Sequence, residues 1–127
     1  MSPARMEKAE AAVRAALAFH EAWNRGDAGV LEELLHPECV LETAFPAPAG
    51  ERFDGKAAVL EYWRRQLLGE GRPLRTVKEI YGMGNRAVLH WQLKPSSPDF
   101  TPSPLRGVDL IKVQMGLIIE IISYCKG

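Results

Sequence analysis

The chain has 127 residues, of which 46% are apolar, and its 16 basic side chains balance 16 acidic ones. This length and composition suit a single domain over residues 1–127 and exclude a disordered chain. The zero net charge leaves no electrostatic footprint for nucleic acid or an anionic membrane surface. No apolar run reaches the roughly 20 residues that span a bilayer. The N-terminus lacks a signal-peptide pattern, so we expect a cytoplasmic location without nucleic-acid or membrane partners.

The two cysteines show no spacing typical of a metal site or a redox motif. Cys39 and Cys125 are 86 positions apart, and no histidine cluster accompanies them. The sequence therefore predicts two free thiols and no metal site, with a bridge between the two cysteines as the alternative.

The first half of the chain carries three helical patterns. Apolar residues at spacings of three and four predict a helix over 3–25, which Gly26 ends. Asp27 is typical of an N-cap and predicts a short helix over 28–35. A third pattern predicts a helix from Lys56 to about Leu68.

The rest of the chain has the two-residue alternation of strands. The pattern predicts strands over 39–45, 74–81, 87–93, 105–115 and 117–124. In the first strand, Leu41, Thr43 and Phe45 share one face. His36 is expected at the end of the second helix. The proline-rich segment from Pro95 to Pro104 is predicted to be a loop.

Helices that mostly come first and antiparallel strands that follow indicate an α+β fold, with helices layered on one sheet. The last two strands are apolar on both faces. In the strand over 105–115, strict alternation places Ile111 and Val113 on one face and Val108 and Leu110 on the other. In the strand over 117–124, it places Ile118 and Ile122 on one face and Leu117, Ile119 and Ile121 on the other. Since three helices cover only one face, the other face predicts a partner subunit, most simply in a homodimer.

Four sequence blocks resemble the SnoaL-like branch of the nuclear-transport-factor-2-like (NTF2-like) superfamily. They are residues 19–27 (FHEAWNRGD), 34–40 (LLHPECV), 53–63 (FDGKAAVLEYW) and 107–111 (GVDLI). The resemblance implies a cone-shaped half-barrel in which helices and a curved, mostly antiparallel sheet enclose one hydrophobic pocket, usually in a dimer. It does not imply one activity, because the fold hosts many functions.

Ketosteroid isomerases share this fold, and the resemblance allows their catalytic residues to be compared position by position. Their tyrosine corresponds to Phe19, their aspartate base to Thr43, and their oxyanion-hole aspartate to Asp109. A phenylalanine donates no hydrogen bond and a threonine is no base near neutral pH. The standard isomerase mechanism is therefore not expected, although Glu42 adjoins the position of the missing base.

Two other chemistries of the fold leave partial matches. Epoxide hydrolases of this fold hold a water with an Asp-Arg-Asp arrangement, for which Arg106 and Asp109 are the nearest match, although residues three apart on a strand face opposite sides. The polyketide cyclases use an acid/base aspartate and a histidine. Asp109 could be that aspartate, and His20 and His90 are the available histidines.

Asp109 is the strongest candidate for chemistry, because an aspartate in an apolar strand is desolvated and could act as an acid or a hydrogen-bond donor. The predicted catalytic residues are Asp109, His20 and Tyr62. The predicted pocket-lining residues are Phe19, Trp23, Leu41, Thr43, Trp63, Trp91 and Ile111. If Trp91 lines the pocket, His90 faces the other side of the sheet.

These residues suggest a small cofactor-independent enzyme, of the isomerase, cyclase or hydrolase type, acting on a hydrophobic cyclic or carbonyl compound. A binding protein with the same pocket remains the alternative, as does a dimerisation domain with a filled interior. An ordinary paired aspartate is the competing interpretation of Asp109.

Overall fold

The computed structural model describes residues 3–46, 48–68, 74–94 and 105–126. Within them, three helices pack against a six-stranded sheet, which confirms the predicted α+β class. The helices are α1 (Pro3–Arg25), α2 (Ala28–Leu34) and α3 (Lys56–Leu67). The strands are β1 (Leu35–Glu42), β2 (Arg52–Asp54), β3 (Arg75–Met83), β4 (Arg86–Leu93), β5 (Arg106–Gln114) and β6 (Leu117–Lys126). The predicted loop from Pro95 to Pro104 lies outside the described residues.

The strand order is β2-β1-β6-β5-β4-β3. Neighbouring strands are antiparallel, except that β1 runs parallel to β6. The helix α1 crosses β3, β4 and β5, and α3 packs on β1. One face of the sheet is therefore covered by helices, and β2 and β3 are its edges.

The junction of α1 and α2 has the predicted capping residues. Gly26 has a left-handed φ of 70°, which glycine adopts without strain. The Asp27 carboxylate accepts a hydrogen bond from the backbone N–H of Val30 at 3.1 Å. This bond satisfies one of the free donors at the start of α2.

The strand β1 begins earlier than the sequence predicts. Leu35 pairs with Ile118 on β6, and a register shift follows before pairing resumes at Val40. Pro37 lies within that irregular stretch, where a missing N–H removes no ladder bond. His36 is therefore a strand residue, not the helix-end residue predicted, and its Nδ1 accepts a hydrogen bond from the N–H of Glu38 at 3.0 Å.

The alternation predicted for β6 is wrong because the strand pair contains a bulge. The register between β5 and β6 shifts between Lys112 and Val113. As a result, Ile118 and Ile121 are both buried on the helix-covered face, although they are three positions apart. An extra residue in one strand reverses the side-chain alternation beyond it, which simple periodicity does not reveal.

Small residues bring α1 close to the sheet. Ala12, Ala15 and Ala16 are buried in the core together with Leu89 and Ile111. The glycine at position 82 lies against the helix, since a Cβ there would be 2.6 Å from the carbonyl oxygen of Ala9. The core fills this end of the fold, so any open space lies toward the other end.

The uncovered face of the sheet carries apolar side chains. Leu110 is 37% exposed and Tyr124 is 55% exposed, whereas Asp109 and Ile111 on the opposite face of β5 are buried. This two-sided apolar pattern on β5 agrees with the alternation predicted there. Both cysteines are free thiols, as the sequence predicts. Among the described helices, none is long and apolar enough to cross a membrane.

Candidate active site

A cavity of about 200 Å³ lies between α1, α3 and the covered face of the sheet. Most of its wall is aromatic or aliphatic, and its polar groups come from several strands. The lining residues are Phe19, Trp23, Leu41, Thr43, Ala44, Phe45, Tyr62, Trp63, Gln66, Arg75, Trp91, Leu93, Asp109, Ile121 and Ser123. Apolar pockets with a few convergent polar groups are the usual form of small-molecule sites.

Asp109 is fully buried on the cavity wall and accepts three hydrogen bonds. Its Oδ1 accepts from Ser123 Oγ at 2.7 Å and from Trp91 Nε1 at 3.0 Å. Its Oδ2 accepts from Arg75 Nη1 at 2.9 Å. Because both oxygens act as acceptors, the geometry is that of a paired carboxylate and not of an acid that donates a proton.

Arg75 supplies the positive charge that pairs with Asp109. Its side chain is 18% exposed. The guanidinium carbon lies 4.6 Å from the ring centroid of Trp91 and 5.9 Å from that of Trp23. A guanidinium stacked on indole faces gains cation–π attraction and keeps its edges free for hydrogen bonding.

Arg75 and Ser123 are site residues that sequence reasoning missed. The signal for Arg75 was its alternation with Val77, which places both on the partly buried face of β3. Ser123 is opposite Asp109 in the ladder, but its face follows from the bulge in β6. Neither residue lies in a motif of its own, so spacing alone did not reveal them.

The aromatic wall is built by helices α1 and α3. Phe19 stacks on Trp63 with ring centroids 5.3 Å apart, and Trp23 meets Trp63 edge-on at 6.2 Å. Tyr62 stacks on Phe53 at 4.5 Å. Such pairs hold the rings in defined positions, so the wall presents fixed ring surfaces to the cavity.

Tyr62, which the sequence predicts as a catalytic residue, lines the cavity, and its hydroxyl stays protonated over the neutral range. Burial raises the pKa of Tyr62, with a further contribution from the negative charge of Glu51. A protonated phenol donates or accepts one hydrogen bond and is no base at neutral pH.

The hydroxyl of Thr43 serves the loop that follows β1. Thr43 Oγ1 donates to the carbonyl oxygen of Phe45 at 2.7 Å and accepts from the N–H of Glu51 at 2.9 Å. The position at which ketosteroid isomerases carry their base therefore holds a loop-stabilising group on the cavity wall.

Two predicted site residues lie away from the cavity. Ile111 follows Asp109 on the same face of β5, two residues along the strand. It lies in the filled core cluster and not on the cavity wall, because α1 packs closely on the sheet there. His20 is buried behind the wall, with Nε2 3.3 Å from Nδ2 of Asn24 and Nδ1 without a partner among the described residues. Burial and the nearby Arg75 charge lower the pKa of His20 below its ordinary 6.5.

His90 and Arg106 face the other side of the sheet. Both line a shallow groove with Val108 and Tyr124 on the uncovered face. Trp91, next to His90, lies on the cavity wall, as the alternation predicts. Arg106 is thus separated from Asp109 by the sheet, and Arg75 pairs with the aspartate instead. Within the described residues, no three histidine, cysteine or acidic side chains come together to hold a metal ion.

The fold and the cavity between helices and sheet define an NTF2-like, cone-shaped α+β protein. Its similarity to solved structures is consistent with this class. An NTF2-like protein of unknown function from Mesorhizobium loti is 31% identical, with 94% of each chain covered and a TM-score of 0.80. A putative ketosteroid isomerase from Kribbella flavida is 20% identical, with 94% of this chain and 80% of that one covered, at a TM-score of 0.76. An LEH-like epoxide hydrolase from M. tuberculosis is 19% identical, with 93% and 84% covered, at a TM-score of 0.70.

The chain belongs to the SnoaL-like domain family, whose family model matches residues 16–121. This confirms the resemblance drawn from the four sequence blocks. No curated protein matches the chain. The likenesses below 25% identity establish the fold and leave the activity to the residues of the cavity.

Proposed function

We propose that the cavity binds a small, hydrophobic, cyclic compound that carries an acceptor oxygen such as a carbonyl. The observation that carries this proposal is an aromatic cavity whose wall includes the guanidinium of Arg75. Ring surfaces favour a flat apolar ligand, and the guanidinium gives that ligand one oriented polar contact.

The hydrogen bonds within the wall favour an acceptor on the ligand. Thr43 and Ser123 donate their hydroxyl protons to protein oxygens. Both oxygens of Asp109 already accept hydrogen bonds. A guanidinium has five N–H donors. Among the described residues, Arg75 uses Nη1 to donate to Asp109. The cavity therefore offers more hydrogen-bond donors than acceptors, and an acceptor oxygen on the ligand would pair with one of those donors.

The volume limits the size of the ligand. Typical pockets for drug-sized molecules run from about 300 to 1,000 Å³, and this cavity holds about 200 Å³. A compound of one or two rings suits that space better than a four-ring steroid. This distinguishes the proposed ligand from the substrate class named for the steroid delta-isomerase from Pseudomonas aeruginosa, a structure of the same fold.

A second candidate is a cofactor-independent enzyme acting on the same compound, and the Arg75–Asp109 pair on the cavity wall favours it. In an isomerisation, Asp109 would take a proton from the carbon beside the carbonyl while the electron pair moves to the oxygen facing Arg75. Asp109 would then return the proton to another carbon of the enolate as the carbonyl re-forms. Both oxygens of Asp109 are already engaged by donors from the protein, which is why we rank binding first.

The ligand proposal is tested with one- and two-ring ketones and their matched hydrocarbons, titrated against the tryptophan fluorescence of the purified protein. We expect the ketones to bind more tightly. Arg75→Lys keeps the positive charge but loses the planar fork, and should weaken ketone binding about tenfold. Arg106→Lys, on the opposite face of the sheet, is the matched control and should leave binding unchanged. Equal binding of ketones and hydrocarbons would contradict the proposal.

The enzyme candidate is separated from the binder by the fate of the bound ketone. Exchange of its α-hydrogens with deuterated solvent, followed by NMR, measures proton transfer directly. Loss of exchange in Asp109→Asn with retained binding supports catalysis. Binding to the wild-type protein without any exchange leaves the binding function alone.

We also propose a homodimer formed through the uncovered face of the sheet. Leu110 and Tyr124 expose apolar surface there, and Lys112 is paired in register with Glu120. Opposite charges beside an apolar patch suit a two-fold contact of the patch with itself. Sedimentation equilibrium at micromolar concentration tests the proposal, and a monomer would contradict it.

A further inference from the structure

The start of β3 has backbone groups that point away from the sheet. β3 is an edge strand. The N–H of Lys94 donates to the carbonyl of Leu74 at 2.8 Å. In an antiparallel ladder the next pair, Arg75 and Leu93, then has backbone groups directed away from each other. The N–H and C=O of Arg75 therefore face the open side of the edge, where buried backbone groups need a partner.

Asn24 satisfies both of these groups from the last turn of α1. Its Oδ1 accepts from the N–H of Arg75 at 3.0 Å, and its Nδ2 donates to the C=O of Arg75 at 2.8 Å. A carboxamide carries the same donor and acceptor as a peptide group, so Asn24 takes the place of a neighbouring strand. The N–H of Arg75 also fixes which way the amide is turned, because only the oxygen can accept from it.

Holding the backbone of Arg75 sets the direction of its side chain. The guanidinium then reaches Oδ2 of Asp109 at 2.9 Å and lies over the Trp91 ring. Trp23, which precedes Asn24 on α1, is the second ring near the guanidinium. One helical turn thus contacts both the backbone and the side chain of Arg75.

His20 lies one turn before Asn24 and contacts the same amide. Its Nε2 is 3.3 Å from Nδ2 of Asn24, and it accepts a hydrogen bond there when the imidazole is neutral with its proton on Nδ1. Burial is the main reason that the pKa of His20 is lowered, so the neutral form prevails near pH 7. The charged groups that face His20, from its own helix and from the sheet, are Glu21, Arg75, Lys94 and Asp109.

We propose that Asn24 is a positioning residue of the cavity: it holds Arg75 in place by pairing with its backbone, and neutral His20 holds the Asn24 amide. The value of that position to a ligand rests on the proposed function. The placement of Arg75 itself does not, and it is measurable in the protein without ligand.

The indole N–H of Trp91 reports on this cluster, because it donates to Asp109 beside Arg75. In ¹⁵N-labelled, ligand-free protein, Asn24→Ala is expected to shift the Trp91 indole resonance. The chain has three tryptophans, and Trp91→Phe identifies the signal. The matched control is Asp27→Ala, which removes the cap of α2 and does not touch Arg75. It should leave the resonance in place.

Lowering the pH gives a second test, which is followed by the same Trp91 indole resonance. Protonated His20 turns Nε2 into a donor facing the donor of Asn24, and adds a cation near Arg75. We expect the Trp91 indole resonance to move as the pH falls below 6.5, with a midpoint under that ordinary histidine value. The lowered pKa of His20 means that the folded state favours the neutral imidazole. The contribution of His20 to the free energy of unfolding is therefore complete above pH 6.5 and is lost as the pH falls below that value. His20→Gln should abolish the movement of the resonance.

An unshifted Trp91 resonance in folded Asn24→Ala, with or without a loss of stability, would overturn the positioning role. If that variant does not fold, Asn24→Asp replaces it. Asp at this position still accepts from the N–H of Arg75, but it places an oxygen instead of a donor against the C=O of Arg75. An unshifted Trp91 resonance in this variant would likewise overturn the positioning role. A movement with pH that persists in His20→Gln would overturn the role of His20. Failure of ketones to bind the wild-type protein would contradict the proposed function alone, since neither resonance experiment uses a ligand.

Discussion

Asp109→Ala is expected to lower the free energy of unfolding by about 3–5 kcal/mol, the usual cost of removing one partner from a buried ion pair. Asp109 is fully buried, and its removal leaves three donors without their acceptor: the guanidinium of Arg75, the indole N–H of Trp91 and the hydroxyl of Ser123. Urea denaturation followed by circular dichroism measures the loss.

The matched variants distinguish the charge from the other hydrogen bonds. Ser123→Ala removes one donor to Asp109 and should cost about 1 kcal/mol. The double variant Arg75→Met with Asp109→Leu removes both charges, and should cost less than the two single changes added together. Additive costs, or an Asp109→Ala variant as stable as the wild type, would show that the pair is not coupled in solution.

Gly107→Ala is expected to cost about 3 kcal/mol, because nothing at this position can make room for a methyl group. A Cβ at Gly107 would lie 2.2 Å from the carbonyl oxygen of Tyr124 and 2.5 Å from the ring of Trp91. The first contact is backbone in a paired strand, and the second is a ring held by Asp109 and Arg75. Thermal and urea unfolding of the variant measure the effect.

Gly29→Ala is the matched control for that substitution. Gly29 lies in α2, and a Cβ there meets only Asp27 Oδ1, at the ordinary contact distance of 3.5 Å. Alanine has the better helix propensity, so this variant should be more stable by up to about 1 kcal/mol. A Gly107→Ala protein as stable as Gly29→Ala would mean that Trp91 does not pack on β5 as described. The ring of Trp91 would then be free to leave the cavity wall.

The helices were predictable to within a residue or two because their signals are local. The end of α1 at Arg25 and the cap at Asp27 depend on residues that are neighbours in the chain. The strand β2 was not predicted, because three residues are too few to show a periodic pattern. It is defined by its pairing with β1. The early start of β1 likewise comes from its parallel pairing with β6.

The candidate site was predicted in part. The alternation of β5 placed Asp109 and Ile111 on the covered face, and the resemblance to a hollow fold indicated an aromatic cavity. His20 was predicted to be a catalytic residue, but it lies behind the cavity wall. Its distance from the cavity follows from how α1 is rotated on the sheet, which a stripe of apolar residues defines too coarsely.

By itself the sequence determined the class of fold, the order of most elements and the family, because periodicity, caps and motif blocks are properties of contiguous residues. Only the tertiary structure decided which polar groups meet. Arg75 and Asp109 are 34 positions apart, and Asn24 and Arg75 are 51 apart. Such contacts depend on strand register, on a bulge and on the packing of one helix against an edge strand, and each of these is set by interactions between segments that are distant in the chain.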